Sequence, residues 1–236
     1  MSILRRLIRL PLRLVPPNRE VRIRSGALRG WRWITGSATH GCWLGNYEPE
    51  AQRVFTTLVR DGHAVYDVGA NVGFFTLLAA KLAGERGAVY AFEPIERNLG
   101  YLRRHIAANK LSTVHVLPIA VSSHAGVAFF NSGHNPAMGK LADAGDVEVR
   151  TAAIDDLVAA GELRPPDFVK IDVEGAEYDV LTGAAATLRR YRPPILLSAH
   201  GWRLHDQCNA LLREWGYTLE EVRDGREDGQ YTVLAR

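Results

Sequence analysis

The chain has 236 residues, 47% of them hydrophobic and 23% charged, which is the balance of a globular protein long enough for one well-packed domain. Its net charge of +3 conceals a division: the first 24 residues hold seven Arg against Glu20 alone, while the rest carries 22 basic and 25 acidic residues and gives no electrostatic case for a nucleic-acid partner. Cys42 and Cys208 are too few for a disulfide framework and lack metal-ligand spacing, which predicts a reducing, cytoplasmic setting.

At the N-terminus Ile3, Leu4, Leu7, Ile8, Leu10 and Leu14 gather on one side of a helix, with Arg5, Arg6, Arg9 and Arg13 on the other. The arginines interrupt the apolar run, so the segment reads as neither a secretion signal nor a membrane span. It predicts a helix lying on an anionic membrane, in peripheral contact at its inner face through residues 1–16. Pro11 would kink it, and the alternative is an arm docked on the domain or on a second subunit. Residues 1–24 are expected as this basic arm and 25–236 as one domain. Residues 21–47, rich in Trp and Gly, predict short strands or turns folded onto the domain, with Trp31 and Trp33 burying apolar area and Glu48 and Pro49 opening a helix toward Leu58.

Apolar runs and helical patterns then alternate, which predicts an α/β fold with a mostly parallel sheet and helices on both faces. Strands are expected near 64–68, 88–92, 114–118, 168–172 and 194–198, and helices over 73–84, 95–108, 176–189 and 204–215. Residues 217–222 and 230–235 read as a closing C-terminal antiparallel hairpin. Between Ala120 and Asp155 the alternation lapses: 127–131 and 147–151 look extended, and Ser132 to Gly145 is a polar loop of the kind that forms lids.

The most informative stretch is Val65 to Thr76, a buried strand breaking into a glycine turn and then a helix. Gly69 can take backbone angles closed to other residues, Asn71 tolerates the left-handed region, and Gly73 would let a ligand approach the helix start. The spacing is Asp-x-Gly-x-Asn-x-Gly, not the Gly-x-Gly-x-x-Gly of a dinucleotide site, which argues against a nicotinamide-dependent oxidoreductase. The carboxylate of Asp67 suits a cationic ligand, such as the ammonium and sulfonium groups of S-adenosylmethionine. The next strand ends in Glu93-Pro94, where an acid can take both hydroxyls of a ribose.

These segments, together with Trp43 to Glu48 and Lys170-Ile171-Asp172-Val173-Glu174-Gly175-Ala176-Glu177, resemble the FkbM family of S-adenosylmethionine-dependent methyltransferases, over about Gly41 to Gly201. The resemblance implies a class I methyltransferase (Rossmann-like) fold. It also implies methyl transfer to a hydroxyl of a sugar or related natural product, so that the acceptor would be a glycan, a glycolipid or a secondary metabolite. The family often has an acid two residues before the histidine corresponding to His200, and Ser198 stands there.

Ligands in open α/β sheets sit outside the carboxyl ends of the strands. That places Asp67, Gly69, Asn71, Gly73, Glu93, Pro94 and Ala120 at the cofactor, Ala120 and Val121 flanking adenine and Pro94 packing on it. An attacking hydroxyl must lose its proton, to a base or with help from a metal ion. Asp172, Glu174, Glu177 and His200 are the available groups, with Asp172 expected nearest the methyl and Asp172 or His200 as the base. At most one of Glu174 and Glu177 is expected to face the pocket, the other capping backbone N–H groups. No metal site is assigned, because Ser198 removes an oxygen a hard cation would prefer, although a divalent ion remains the competing explanation. His40, His134 and His205 have no comparable support. A membrane-associated module that keeps the fold without the chemistry is the alternative function.

Overall fold

The computed structural model describes residues 15–131, 140–142, 147–223 and 229–236. The Trp- and Gly-rich segment forms an antiparallel pair, β1 (Glu20–Arg22) and β2 (Arg32–Ile34), followed by α1 (His40–Leu44) and α2 (Pro49–Leu58). Trp33 is fully buried beside Ile23, Leu28 and Phe74, so the segment is part of the core. The boundary expected at residue 24 therefore falls inside folded structure, since β1 already belongs to the domain. Residues 1–14, and with them the amphipathic pattern, lie outside the described residues.

Strands and helices then alternate: β3 (Ala64–Val68), α3 (Phe74–Ala83), β4 (Ala88–Phe92), α4 (Glu96–Ala108) and β5 (Val114–Leu117). β3 and β4 are buried along their whole length, which is why they read as unbroken apolar runs. The irregular stretch holds β6 (Ala120–Val121), β7 (Gly126–Asn131), β8 (Lys140–Ala142) and β9 (Val147–Ala152), a separate small sheet of order β6-β9-β7-β8. Most of the expected lid, including His134, lies outside the described residues. The chain continues through α5 (Ile154–Ala159), β10 (Phe168–Ile171), α6 (Glu177–Gly183), α7 (Ala185–Tyr191), β11 (Ile195–His200), α8 (Trp202–Glu214), β12 (Leu219–Arg223) and β13 (Gln230–Ala235).

The main sheet has the order β12-β13-β11-β10-β3-β4-β5. β11, β10, β3, β4 and β5 run parallel, and β13 lies antiparallel between β11 and β12, as the closing hairpin predicted. Strand order reverses between β3 and β10, and in open α/β sheets the crevice at the carboxyl ends of such a switch point is the place for ligands. Side chains alternate between two cores: Tyr66, Val68, Val169 and Ile171 enter one, and Val65, Phe168 and Leu196 enter the other with Phe75 and Leu78 of α3.

The helix expected over 176–189 is two helices meeting at Ala184. Two contacts break it. Gly183 packs directly on the Ser122 carbonyl, leaving no room for a Cβ, and the Asp155 carboxylate accepts from the backbone N–H groups of Ala186 and Thr187, each at 2.8 Å, capping α7 from another element. His105 fastens the N-terminal segment to the ligand turn. Its Nδ1 donates to the Val72 carbonyl at 2.7 Å, its Nε2 accepts from Ile34 N–H at 3.0 Å, and its ring stacks on Trp33. Burial lowers its pKa to about 4, so it stays neutral and can play both parts.

Candidate active site

A cavity of about 500 Å³ opens at the carboxyl ends of β3, β4 and β10, within the size range of small-molecule sites. Gly69, Asn71, Glu93, Pro94, Ala120, Asp172 and Glu174 line it, together with Tyr47 and Glu48 from the start of α2. Gly73, Asp67 and His200 are brought close but stand behind its wall.

The turn after β3 is held by backbone geometry. The N–H groups of Gly69 and Ala70 both donate to the Phe92 carbonyl, at 3.0 and 2.9 Å, and Gly69 and Asn71 have φ of 78° and 50°. A Cβ on Gly69 would overlap the Asp172 carbonyl, so this glycine lets the two strand ends that frame the cavity come together. Gly73 has a packing role that the sequence did not suggest. It starts α3 at φ 96°, and a Cβ there would lie 2.5 Å from Leu102 Cδ1, so its bare backbone admits α4, and it is not among the residues lining the cavity.

Glu93 holds the turn as well as facing the cavity. Its Oε2 accepts from Asn71 N–H at 2.8 Å, and its Oε1 accepts from Ile95 N–H at 2.9 Å and from Asn98 at 3.2 Å. Burial raises its pKa, against the lowering effect of these hydrogen bonds. A carboxylate offers about four acceptor positions. Three are committed to the chain's own donors, which leaves one acceptor position on this carboxylate.

Asp67 is entirely buried and does not reach the cavity. The strand alternation that puts Val65 under α3 puts Asp67 there too, and in register beside it on β10 is Lys170. Asp67 Oδ2 accepts from the Thr76 hydroxyl at 2.6 Å, and Oδ1 lies 3.4 Å from Lys170 Nζ. Direct contact between Asp67 and a cationic ligand is therefore corrected: its charge is met by Lys170. The lysine also lies 3.5 Å from Asp172 Oδ2, donates to the Gly69 carbonyl at 3.3 Å, and stands over the Phe75 ring. Burial opposes its charge, but Asp172, Asp67 and Glu48 outweigh it and hold the ammonium form. The sequence reading gave Lys170 no role. The available signal was a cation inside the otherwise apolar run Phe168 to Ile171.

At the end of β11, His200 Nδ1 donates to Oε1 of the fully buried Glu177 at 2.7 Å. Its Nε2 faces Glu174 Oε2 at 3.3 Å and Asp172 Oδ1 at 3.7 Å. Burial works against a charged imidazole, yet the hydrogen bond to Glu177 and the charges of Asp172 and Glu174 prevail, and the histidine's pKa is raised. Glu177 also accepts from Gly175 N–H at 3.1 Å, while Glu174, at φ 57°, lines the cavity. This is the division of labour expected for the two acids. Ser198 is buried and bonded to Thr232 at 3.1 Å, away from the cavity. Burial first, then Asp172, raises the pKa of Glu48, whose backbone sits in the left-handed region at φ 42°. Among the described residues, no group of three His, Cys, Asp or Glu side chains has the arrangement of a metal site.

The sheet order, the antiparallel β13 and the cavity at the switch point define a class I methyltransferase fold. Solved structures with this fold include methyltransferase FkbM from Methylobacillus flagellatus KT, with TM-score 0.54 and 15% identity over 84% of this chain and 56% of that one. The present chain thus spans little more than half of that protein. Another is precorrin-6y C5,15-methyltransferase from Geobacter metallireducens GS-15, with TM-score 0.53 and 17% identity over 80% of this chain and 87% of that one. Residues 67–219 match the methyltransferase FkbM domain. The chain is 30% identical to hexuronic acid methyltransferase AglP of Haloferax volcanii, over 77% of this chain and 74% of the relative. It is 28% identical to 31-O-demethyl-FK506 methyltransferase FkbM of Streptomyces tacrolimicus, over 70% and 76%. The chain belongs to the FkbM methyltransferase family.

Proposed function

We propose that this protein methylates a hydroxyl oxygen of a glycan, glycolipid or secondary metabolite, with S-adenosylmethionine as donor. The observation that carries the reading is the pair formed by His200 and Glu177, aimed at Asp172 on the wall of a cavity that Gly69, Asn71 and Glu93 also line. Two relatives support an acceptor of this kind, one named for hexuronic acid, a sugar acid, and the other for 31-O-demethyl-FK506, whose name places the methyl on an oxygen.

The cavity fits this cofactor in three respects. Glu93 keeps one acceptor position for a ribose hydroxyl, Pro94, Ile119, Ala120 and Val121 offer apolar surface for a flat base, and Asp172, Glu174 and Glu48 favour positive charge at the far end. When bound, the cofactor supplies an electrophilic methyl group whose transfer needs in-line attack by an oxygen. The residues of the chain prepare that oxygen. Glu177 fixes the proton of His200 on Nδ1 and leaves Nε2 to take a proton, the arrangement in which an imidazole acts as general base. Asp172 orients the acceptor hydroxyl toward Nε2, and Lys170 holds Asp172 in place. The imidazolium formed is stabilised by Glu177 and Glu174.

Titration calorimetry with S-adenosylhomocysteine tests the cofactor; absence of binding at high micromolar ligand would sink the reading. Transfer of labelled methyl groups to extracted glycans or lipids tests the acceptor, and label on nitrogen or carbon alone contradicts it. A chelator is expected to leave turnover intact. A chelator-sensitive enzyme that tolerates His200→Ala would replace the histidine base by a metal ion and keep the methyl transfer.

A further inference from the structure

A second concavity adjoins α1, which also borders the cavity: Cys42 lines the cavity and Trp43 lines this groove. Val15, Val21, Ile23 and Trp43 contribute apolar surface, and Arg19, Arg22, Arg24 and Arg29 line the groove with exposed side chains. Glu20 is its one acidic lining residue and is already paired with Arg32. Among the described residues, the side chains of Arg19 and Arg29 make no hydrogen bond or ion pair, and Arg24 meets only the Trp43 ring, 5.8 Å from its centroid. Four guanidinium groups without a structural anion form a surface of positive potential over an apolar floor.

We propose that this groove is a docking surface for anionic lipid headgroups. Charge complementarity supports the choice, since arginine recognises phosphate in fork geometry while its stem covers apolar surface. The sequence leading into the groove supports it too. The described chain begins at Val15, on the groove itself, and residues 1–14 add Arg5, Arg6, Arg9 and Arg13 with no acid, interleaved with leucine and isoleucine. Basic residues interleaved with aliphatic ones suit a lipid interface, whereas a nucleic-acid strand is met by aromatic and polar groups. No helix among the described residues is long and apolar enough to cross a membrane, so the contact proposed is with the headgroup layer.

The test is vesicle flotation with the full chain and its variant Arg19→Glu, Arg24→Glu, Arg29→Glu. The parent is expected to float with vesicles of phosphatidylglycerol in phosphatidylcholine, not with phosphatidylcholine alone, and to be released at about 0.5 M salt by screening. The variant is expected to bind roughly tenfold more weakly or worse, since each basic residue near the surface contributes. Unchanged affinity for S-adenosylhomocysteine and an unchanged melting temperature in the variant locate the effect in the groove. A variant that floats like the parent overturns the proposal, as does a parent that ignores anionic vesicles or that binds an RNA oligomer in preference to them. If charge reversal unfolds the chain, Arg19→Gln with Arg29→Gln serves instead, with the same two outcomes.

Discussion

His200 and Glu177 sit 2.7 Å apart, the carboxylate wholly buried and the imidazole behind the cavity wall with its Nε2 toward Asp172, which lines the cavity. The pair predicts a pH dependence with a definite sign. The base form of His200 is lost as pH falls, and its pKa is raised above 6.5, so turnover should decline on acidification from a point above that value. His200→Ala should lower turnover by about a hundredfold or more while leaving S-adenosylhomocysteine affinity unchanged. Glu177→Gln should move the acid limb of the rate profile to lower pH, because one of the carboxylates that favour the imidazolium is gone. For stability, a raised folded pKa means that His200 contributes fully below 6.5 and loses that contribution as pH rises through the folded value. Denaturant titrations across this window should show the decline in the parent and a flatter profile in His200→Ala. A rate profile untouched by Glu177→Gln contradicts the pairing.

Lys170 and Asp67 form a buried pair in which each depends on the other, 3.4 Å apart. Lys170→Met should destabilise the protein by about 3–5 kcal/mol, the usual consequence of stranding a buried charge. Adding Asp67→Asn to that variant should recover much of the loss, since the stranded charge is removed. Urea denaturation of the two variants measures it. A single variant as stable as the parent would show that Asp67 does not rely on the lysine.

Glu93 should matter to both affinity and stability, because it binds three donors of its own chain. Glu93→Ala is expected to weaken S-adenosylhomocysteine binding by about 1.5–3 kcal/mol and to lower the unfolding midpoint as well. Glu93→Gln should be little better, since its amide group would set N–H against N–H on one side. Calorimetry and thermal unfolding of both variants decide; full cofactor affinity in either one removes Glu93 from the ribose.

The two glycines of the turn should respond differently to alanine. Gly69→Ala drives a Cβ into the Asp172 carbonyl, part of a strand end that cannot yield, and is expected to abolish cofactor binding. Gly73→Ala meets only the tip of the Leu102 side chain, so its cost is chiefly the left-handed backbone, about 1–2 kcal/mol. Its cofactor affinity should fall far less. Equal loss of affinity in the two variants would restore a ligand-facing role to Gly73.

Much of this protein could be read along the chain. The buried strands, the glycine turn, the acids at or near the ends of three strands and the closing hairpin each leave a local signature, because an apolar run, a turn residue or a strand end is decided by neighbours a few residues away. The segments Trp43 to Glu48, Tyr66 to Phe74, Phe92 to Pro94 and Lys170 to Glu177 then carried the family. What each side chain touches was decided by the fold alone. Asp67 faces Lys170, and not the cavity, because two strands a hundred residues apart lie in parallel register and alternate their side chains between two faces. Glu177 meets His200 only because α6 folds back over the end of β11. Gly73 serves α4, and the helix after Ala176 is broken at Ala184 by Asp155 and Ser122, residues distant in sequence. Pairing of this kind depends on register and close approach between remote segments, and no pattern local to either segment specifies it.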